Sequence, residues 1–247
     1  MRYFGLIGQK LGHSFSKKYF TEKFAREEIS GQYELYEIPT IEALPALWAS
    51  VPLSGMNVTI PYKQQIMAYL DEISPEAAAV GAVNTVLFRD GRKIGYNTDT
   101  YGFRVSLQAF LGETKLAQAL ILGNGGAAKA VRYVLEQQMG FRPCLTVSRS
   151  AAGPNQITYQ ALQDLNLDEY PLIVNTTPLG MFPYEKDAPA IPYDRLGEGH
   201  FAYDLIYNPA ETEFMRLITQ QGAKACNGME MLILQAEGAW EIWNGIK

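Results

Sequence analysis

A short apolar run at residues 119–122 ends in Gly123-Asn124-Gly125-Gly126-Ala127-Ala128, and residues 127–138 continue in a helical pattern. Strand, glycine turn and helix in that order leave few folds open. A tight turn at Gly123, an approach close enough for phosphate at Gly125 and a small residue for helix packing at Ala128 are what a dinucleotide-binding βαβ unit requires. The next strand, residues 144–147, ends at Ser148-Arg149-Ser150, where an NAD-binding fold carries an acidic residue for the ribose hydroxyl. No Asp or Glu stands there. Arg149 can pair with a 2′-phosphate and the flanking hydroxyls can donate to it, so the tip predicts NADP rather than NAD.

Further strands follow at residues 172–174 and 202–206. They run into Asn175-Thr176-Thr177-Pro178 and Tyr207-Asn208-Pro209, at the carboxyl edge where open α/β sheets bind ligands. A helix over 211–221, a strand over 224–226 and a final helix over 230–243 complete this half. Leu232, Ala236, Ala239, Trp240 and Trp243 form a stripe on that last helix, which reads as a packing face.

The N-terminal part also alternates strand and helix: strands at 3–7 and 33–38, helices at 16–28 and 41–49. Residues 57–60 then alternate polar and apolar, turning Asn57 and Thr59 to one face and Val58 and Ile60 to the other. Pro61 suits the first position of a helix over 62–70, which puts Lys63 in its first turn. A cation is disfavoured at that positive end, which would ease proton release and suit Lys63 to acid–base work. As a single lysine it reads equally as a solvated surface residue. Asp90-Gly91 predicts a hairpin between residues 83–88 and 93–97, with Asn84 roughly opposite Asn97 and Asp99 just beyond the same end. Asp99 also reads as the N-cap of a helix over 100–111.

Composition excludes several classes. With 47% hydrophobic and 19% charged residues and a net charge of −5, the chain has no basic surface suited to nucleic acid. No apolar run reaches membrane-spanning length and residues 1–8 are too short for a signal peptide, which predicts a cytoplasmic protein. Cys144 and Cys226 lie far apart with no Cys-x-x-Cys, and His13 and His200 are the only histidines, so no metal site is expected.

Six segments in order resemble the shikimate dehydrogenase family over nearly the whole chain. They are Gly12-His13-Ser14-Phe15-Ser16, Asn57-Val58-Thr59-Ile60-Pro61-Tyr62-Lys63, Gly81-Ala82-Val83-Asn84-Thr85 with Asn97-Thr98-Asp99, the glycine turn from Gly123 to Ala127, Asp204-Leu205-Ile206-Tyr207-Asn208-Pro209, and Gly228 through Gln235. The resemblance implies an α/β protein of two domains. Residues 1–100 with 229–247 would form an N-terminal substrate-binding domain to which the C-terminal helix returns, and residues 101–228 a Rossmann-type NADP-binding domain. It implies reversible NADP-linked reduction of 3-dehydroshikimate to shikimate in aromatic amino acid biosynthesis, by a monomer or a homodimer.

By the same resemblance Lys63 and Asp99 would be catalytic and would also contact substrate. Ser14 and Ser16 would hold the substrate carboxylate with Tyr207 nearby, and Asn57, Thr59, Asn84 and Gln235 would bind ring hydroxyls or position what does. Gly123, Asn124, Gly125, Gly126, Ala127, Ser148, Arg149, Ser150, Thr176, Leu205 and Gly228 would bind the cofactor. Departures from the family pattern are Gln9-Lys10-Leu11, then Lys17, Phe20 and Thr21 in the helix entry, one arginine rather than two in the phosphate loop, and Glu230 where glycine is common. A quinate/shikimate dehydrogenase of relaxed specificity and a non-catalytic ligand sensor on the same fold are the competing readings.

Overall fold

The computed structural model describes every residue except His13, Ala152 and Lys247, so the expectations touching His13 and Ala152 lie outside the described residues. The chain divides into two compact units, Met1–Thr98 with Ala236–Lys247, and Asp99–Gln235. Among the described residues no helix is long and apolar enough to cross a membrane.

The first unit contains β1 (Arg2–Gly8), α1 (Phe15–Arg26), β2 (Gly31–Glu37), α2 (Leu44–Ser50), β3 (Leu53–Val58), β4 (Glu72–Ile73), α3 (Pro75–Val80), β5 (Thr85–Arg89) and β6 (Arg92–Tyr96). They form a mixed sheet in the order β2-β1-β3-β5-β6-β4. β1 runs parallel to β2 and β3, whereas β5 is antiparallel to β3 and β6. Asp90 and Gly91 both have positive φ, 52° and 74°, as the tight hairpin turn between β5 and β6 requires.

The second unit contains α4 (Asp99–Leu111), β7 (Ala119–Leu122), α5 (Gly126–Tyr133), β8 (Leu145–Ser148), β9 (Gln156–Thr158), β10 (Leu172–Asn175), β11 (Phe201–Asp204), α6 (Glu213–Thr219) and β12 (Lys224–Cys226). Its sheet, β12-β11-β10-β7-β8-β9, is parallel throughout and has the doubly wound order of a dinucleotide-binding fold. α7 (Met229–Trp243) starts in this unit and ends in the first.

Strand alternation gives each sheet two buried faces. In the first unit Phe4 and Leu6 pack with Phe20, Phe24, Ala239 and Trp243, while Ile7, Met56 and Val58 pack with Leu44, Ile66 and Ala77. In the second, Ile121 and Val174 meet Phe103, Leu107 and Val131, while Leu122 and Ile173 meet Leu162, Phe214 and Ile218. The tryptophan stripe of α7 is therefore core: Trp243 lies 4.9 Å from the Phe4 ring, and its Nε1 donates to the Val86 carbonyl at 3.0 Å.

Three local expectations are corrected. β3 stops at Val58, and Ile60 is 77% exposed rather than buried beside Val58. The helix over 62–70 does not form; residues 60–64 are a turn and only Gln65–Tyr69 coil, as a 3-10 helix. The backbone shows why. The Lys63 carbonyl accepts the Val83 N–H at 2.8 Å and so takes a tertiary partner instead of continuing a helical ladder. The Tyr62 hydroxyl is drawn inward to the Ile38 carbonyl at 2.6 Å. Lys63 therefore sits on the turn that leads into this short 3-10 helix rather than inside an α-helix. Asp99 is the first residue of α4 rather than its cap.

Two predictions follow from this packing. A Cβ at Gly55 would lie 2.4 Å from the Trp243 indole, so Gly55→Ala should destabilise the protein by about 1–3 kcal/mol in denaturant titration; an unchanged midpoint would contradict this packing. Asp204, fully buried at the end of β11, accepts from Asn175 at 3.0 Å, Ile206 N at 3.1 Å and Thr212 at 2.6 Å. Burial still pushes its carboxyl up from 3.8 to about 6. The native state then holds a proton that the unfolded chain has lost, so this group lowers stability as pH rises through that window and imposes its full cost above it. Asp204→Asn should remove that dependence: the stability difference between variant and wild type should shift in the variant's favour by roughly 2–3 kcal/mol from pH 4 to pH 7, and a constant difference would refute it.

Candidate functional site

In the first unit the topology gathers polar side chains at one sheet edge. β1 and β3 are parallel, with Ile7 opposite Val58, so the loops that follow them leave from the same edge. β5 begins and β6 ends there too, with Thr85 opposite Asn57 and Tyr96. Ser14, Thr59, Lys63, Asn84 and Asn97 all lie on segments that enter or leave this edge. Gly8 keeps the β1 and β3 loops close, since a Cβ there would be 2.7 Å from the Thr59 side chain.

A buried hydrogen-bond network underlies that edge. The Tyr33 hydroxyl donates to Asn57 Oδ1 at 2.8 Å, and Asn57 Nδ2 donates to Thr85 Oγ1 at 3.1 Å and to the Asn84 carbonyl at 3.2 Å. Thr98 N donates to Asn84 Oδ1 at 2.7 Å, and Asn84 Nδ2 donates to Thr98 Oγ1 at 3.1 Å. Both ends of the Asn57 amide are thus committed within the protein, which suits it to positioning its neighbours. Ser16 faces the Tyr33 hydroxyl, whose pKa burial pushes up. Ser14 Oγ caps α1 by accepting from Lys17 N at 3.4 Å, which leaves the hydroxyl proton to donate elsewhere. Tyr33, Thr85 and Thr98 are the network members that the motifs did not single out. The signal was there for the two threonines, which sit inside quoted motifs; Tyr33 read only as a strand residue.

In the second unit the strand order reverses between β7 and β10, and the carboxyl ends beside that point carry the glycine turn and Thr176. Gly123 has φ +104°, and a Cβ on it would lie 2.7 Å from Thr176 Oγ1, so no other residue fits without movement. Gly125 and Gly126 differ: a Cβ on either meets nothing within 4 Å. Space is open at the N-terminus of α5, the place where backbone N–H groups receive a phosphate. Beside it lies a cavity of about 550 Å³ whose lining includes Gly123, Gly125, Ser148, Arg149, Tyr159 and Thr176. An open glycine cradle, one guanidinium and hydroxyls fit a phosphorylated dinucleotide. Tyr159 was not foreseen, because residues 156–158 were not read as a strand.

Leu205 and Gly228 are brought together: Gly228 N donates to the Ile206 carbonyl at 3.0 Å, and a Cβ on Gly228 would strike the Leu205 carbonyl at 2.2 Å. Tyr207 follows on the same segment with its hydroxyl pKa pushed up by burial. Gln235 is buried on α7 and donates to the Leu232 carbonyl at 3.0 Å. Glu230 is exposed in the first turn of α7, where a carboxylate complements the helix dipole. Among the described residues no group of three or more His, Cys, Asp or Glu could hold a metal ion.

Comparison with known proteins addresses both halves. The family model for the shikimate dehydrogenase substrate binding domain matches residues 6–86. The NADP(+) shikimate dehydrogenase of Clostridium beijerinckii is 41% identical over 252 residues, covering 98% of this chain and 92% of the relative. The crystal structure of shikimate 5-dehydrogenase from Thermus thermophilus in complex with NADP(H) and shikimate is similar at a TM-score of 0.85 and 32% identity, over 99% of this chain and 94% of the other. Quinate dehydrogenase from Corynebacterium glutamicum in complex with NAD has a TM-score of 0.90 at 26% identity, over 99% of this chain and 94% of the other. An α/β fold of two units, a doubly wound sheet with an open glycine turn, and this degree of identity along the whole length agree: the chain belongs to the shikimate dehydrogenase family.

Proposed function

We propose that this chain catalyses the reversible NADP-dependent reduction of 3-dehydroshikimate to shikimate, a step toward the aromatic amino acids. Whole-length identity to NADP(+) shikimate dehydrogenases carries the reading. The open cradle at Gly125 and Gly126 and the polar edge of the first unit support it. The first unit binds substrate and the second binds NADP. With it go a cytoplasmic location, a small-molecule substrate, no nucleic-acid or membrane partner, and a monomer or homodimer.

NADP held at the glycine turn would supply the hydride acceptor, and its reduced form the donor, for the carbinol carbon. The protein must then move a proton at the adjoining oxygen, and this is the task of Lys63. In reduction its ammonium polarises the carbonyl and protonates the oxygen as negative charge develops; in oxidation the neutral amine takes the proton back. Asp99 assists by accepting a hydrogen bond from the reacting hydroxyl. Ser14 and Ser16 donate to the substrate carboxylate, with Tyr207 contributing beside them. Thr59, Asn84 and Gln235 address ring hydroxyls, and Asn57 holds Asn84 and Thr85 in place. Gly123, Asn124, Gly125, Gly126 and Ala127 would hold the pyrophosphate, Ser148, Arg149 and Ser150 the 2′-phosphate, with Thr176 beside the turn, and Leu205 and Gly228 would face the nicotinamide.

Reduced nicotinamide should appear in absorbance when the protein is mixed with shikimate and NADP, and far more slowly when quinate or NAD is substituted. Faster turnover with quinate or NAD would move the chain toward the quinate dehydrogenase branch; binding without turnover would favour a ligand sensor. Lys63→Ala should lower kcat by about 10²–10⁴-fold with NADP affinity intact in calorimetry, and near-wild-type kcat would remove Lys63 from proton transfer. Gly125→Val should still fold, because its side chain enters open space and its φ of −89° suits any residue, with only the small drop in thermal midpoint that a poorer N-cap brings, yet lose NADP binding. Retained affinity would place the pyrophosphate elsewhere.

A further inference from the structure

The connection between β8 and β9 is unusual for parallel strands. Such pairs ordinarily need a crossover of a dozen or more residues, most often a helix, yet here only residues 149–155 intervene. No helix forms among the described residues between them, and the register sets Ser148 opposite Thr158. Arg149 and Tyr159 are therefore the next residues off the same sheet edge, on strands spaced by about 4.8 Å. Both line the cavity beside the glycine turn.

The hydroxyl donors of that cavity are mostly committed. Ser148 Oγ donates to the Ser150 carbonyl at 2.7 Å, Thr176 Oγ1 to the Leu122 carbonyl at 2.7 Å, and Thr177 Oγ1 to Asn175 Oδ1 at 2.7 Å. The half-buried Tyr159 ring packs against the core cluster of Leu162, Ile191 and Phe214. Burial pushes the phenol pKa up while the charge of Arg149 opposes the shift. Arg149 is the single cationic side chain of the lining.

We propose that Tyr159 is a specificity-determining residue whose hydroxyl donates to the 2′-phosphate of NADP beside Arg149. The arginine supplies charge; the phenol, with its ring packed on the core, supplies direction. The proposal rests on the NADP reading of this site. A tyrosine at this edge could instead lie along the adenine, and that contact would serve NAD and NADP alike.

Calorimetric titration of wild type and Tyr159→Phe with NADP and with NAD separates these cases, since phenylalanine keeps the ring and removes only the donor. The expected result is about tenfold weaker binding of NADP, unchanged binding of NAD and an unchanged thermal midpoint. Equal weakening of both nucleotides, or of neither, overturns the proposal while a wild-type preference for NADP leaves the function standing. A wild type that binds the two nucleotides alike removes the NADP reading itself, and this proposal with it.

Discussion

Parallel strands that share a sheet must end at the same edge, and that constraint organises both units. In the second it delivers Gly123, Ser148, Asn175 and Asp204 to one side, because β7, β8, β10 and β11 stop there in register. In the first, β1 and β3 obey the same rule, and the antiparallel β5–β6 hairpin returns Asn84 and Asn97 to that edge. Backbone groups at such an edge have lost their ladder partners, so polar side chains there either repair the ends or meet a ligand. Asn175 shows the repair: its amide donates to Asp204 and its oxygen accepts from Thr177, which closes the ends of two strands at once. Asn57 performs the equivalent task in the first unit.

Glycine placement separates structure from ligand along one short loop. Gly123 is required by the protein, because its positive φ and the Thr176 hydroxyl leave no room for a side chain. Gly125 and Gly126 are not, because the space above them is empty of protein. A folded chain gains nothing from glycine at a position with an ordinary φ and open surroundings, and loses conformational entropy by keeping it. Their presence makes sense for something that must come closer than a methyl group would allow.

Fold class was legible because it depends on periodicity and on glycine. The strand over Ala119–Leu122 and the Asp90-Gly91 turn both announce themselves within a few residues. What could not be read locally was decided by distant partners. Lys63 lost its helix to a hydrogen bond from Val83, twenty positions on, and no window over 62–70 contains that information. Ile60 follows an alternating pattern but stands beyond the end of β3. β9 is hard to read because a crossover as short as residues 149–155 defies the usual spacing of parallel strands, although Gly153-Pro154-Asn155 before Gln156-Ile157-Thr158-Tyr159 is a turn followed by a β-favouring run.

The loss of the helix at Lys63 changes how its role must be argued. A helix terminus would have worked against the charged form, which helps a lysine that accepts a proton and hinders one that donates it. A reversible dehydrogenase needs both, since the group that protonates the oxygen in one direction must take the proton back in the other. The lysine is held instead through its backbone, with the Lys63 carbonyl tied to Val83 and the neighbouring Tyr62 ring anchored on Ile38. That fixes where the side chain starts, by two tertiary contacts that no local window over 62–70 contains.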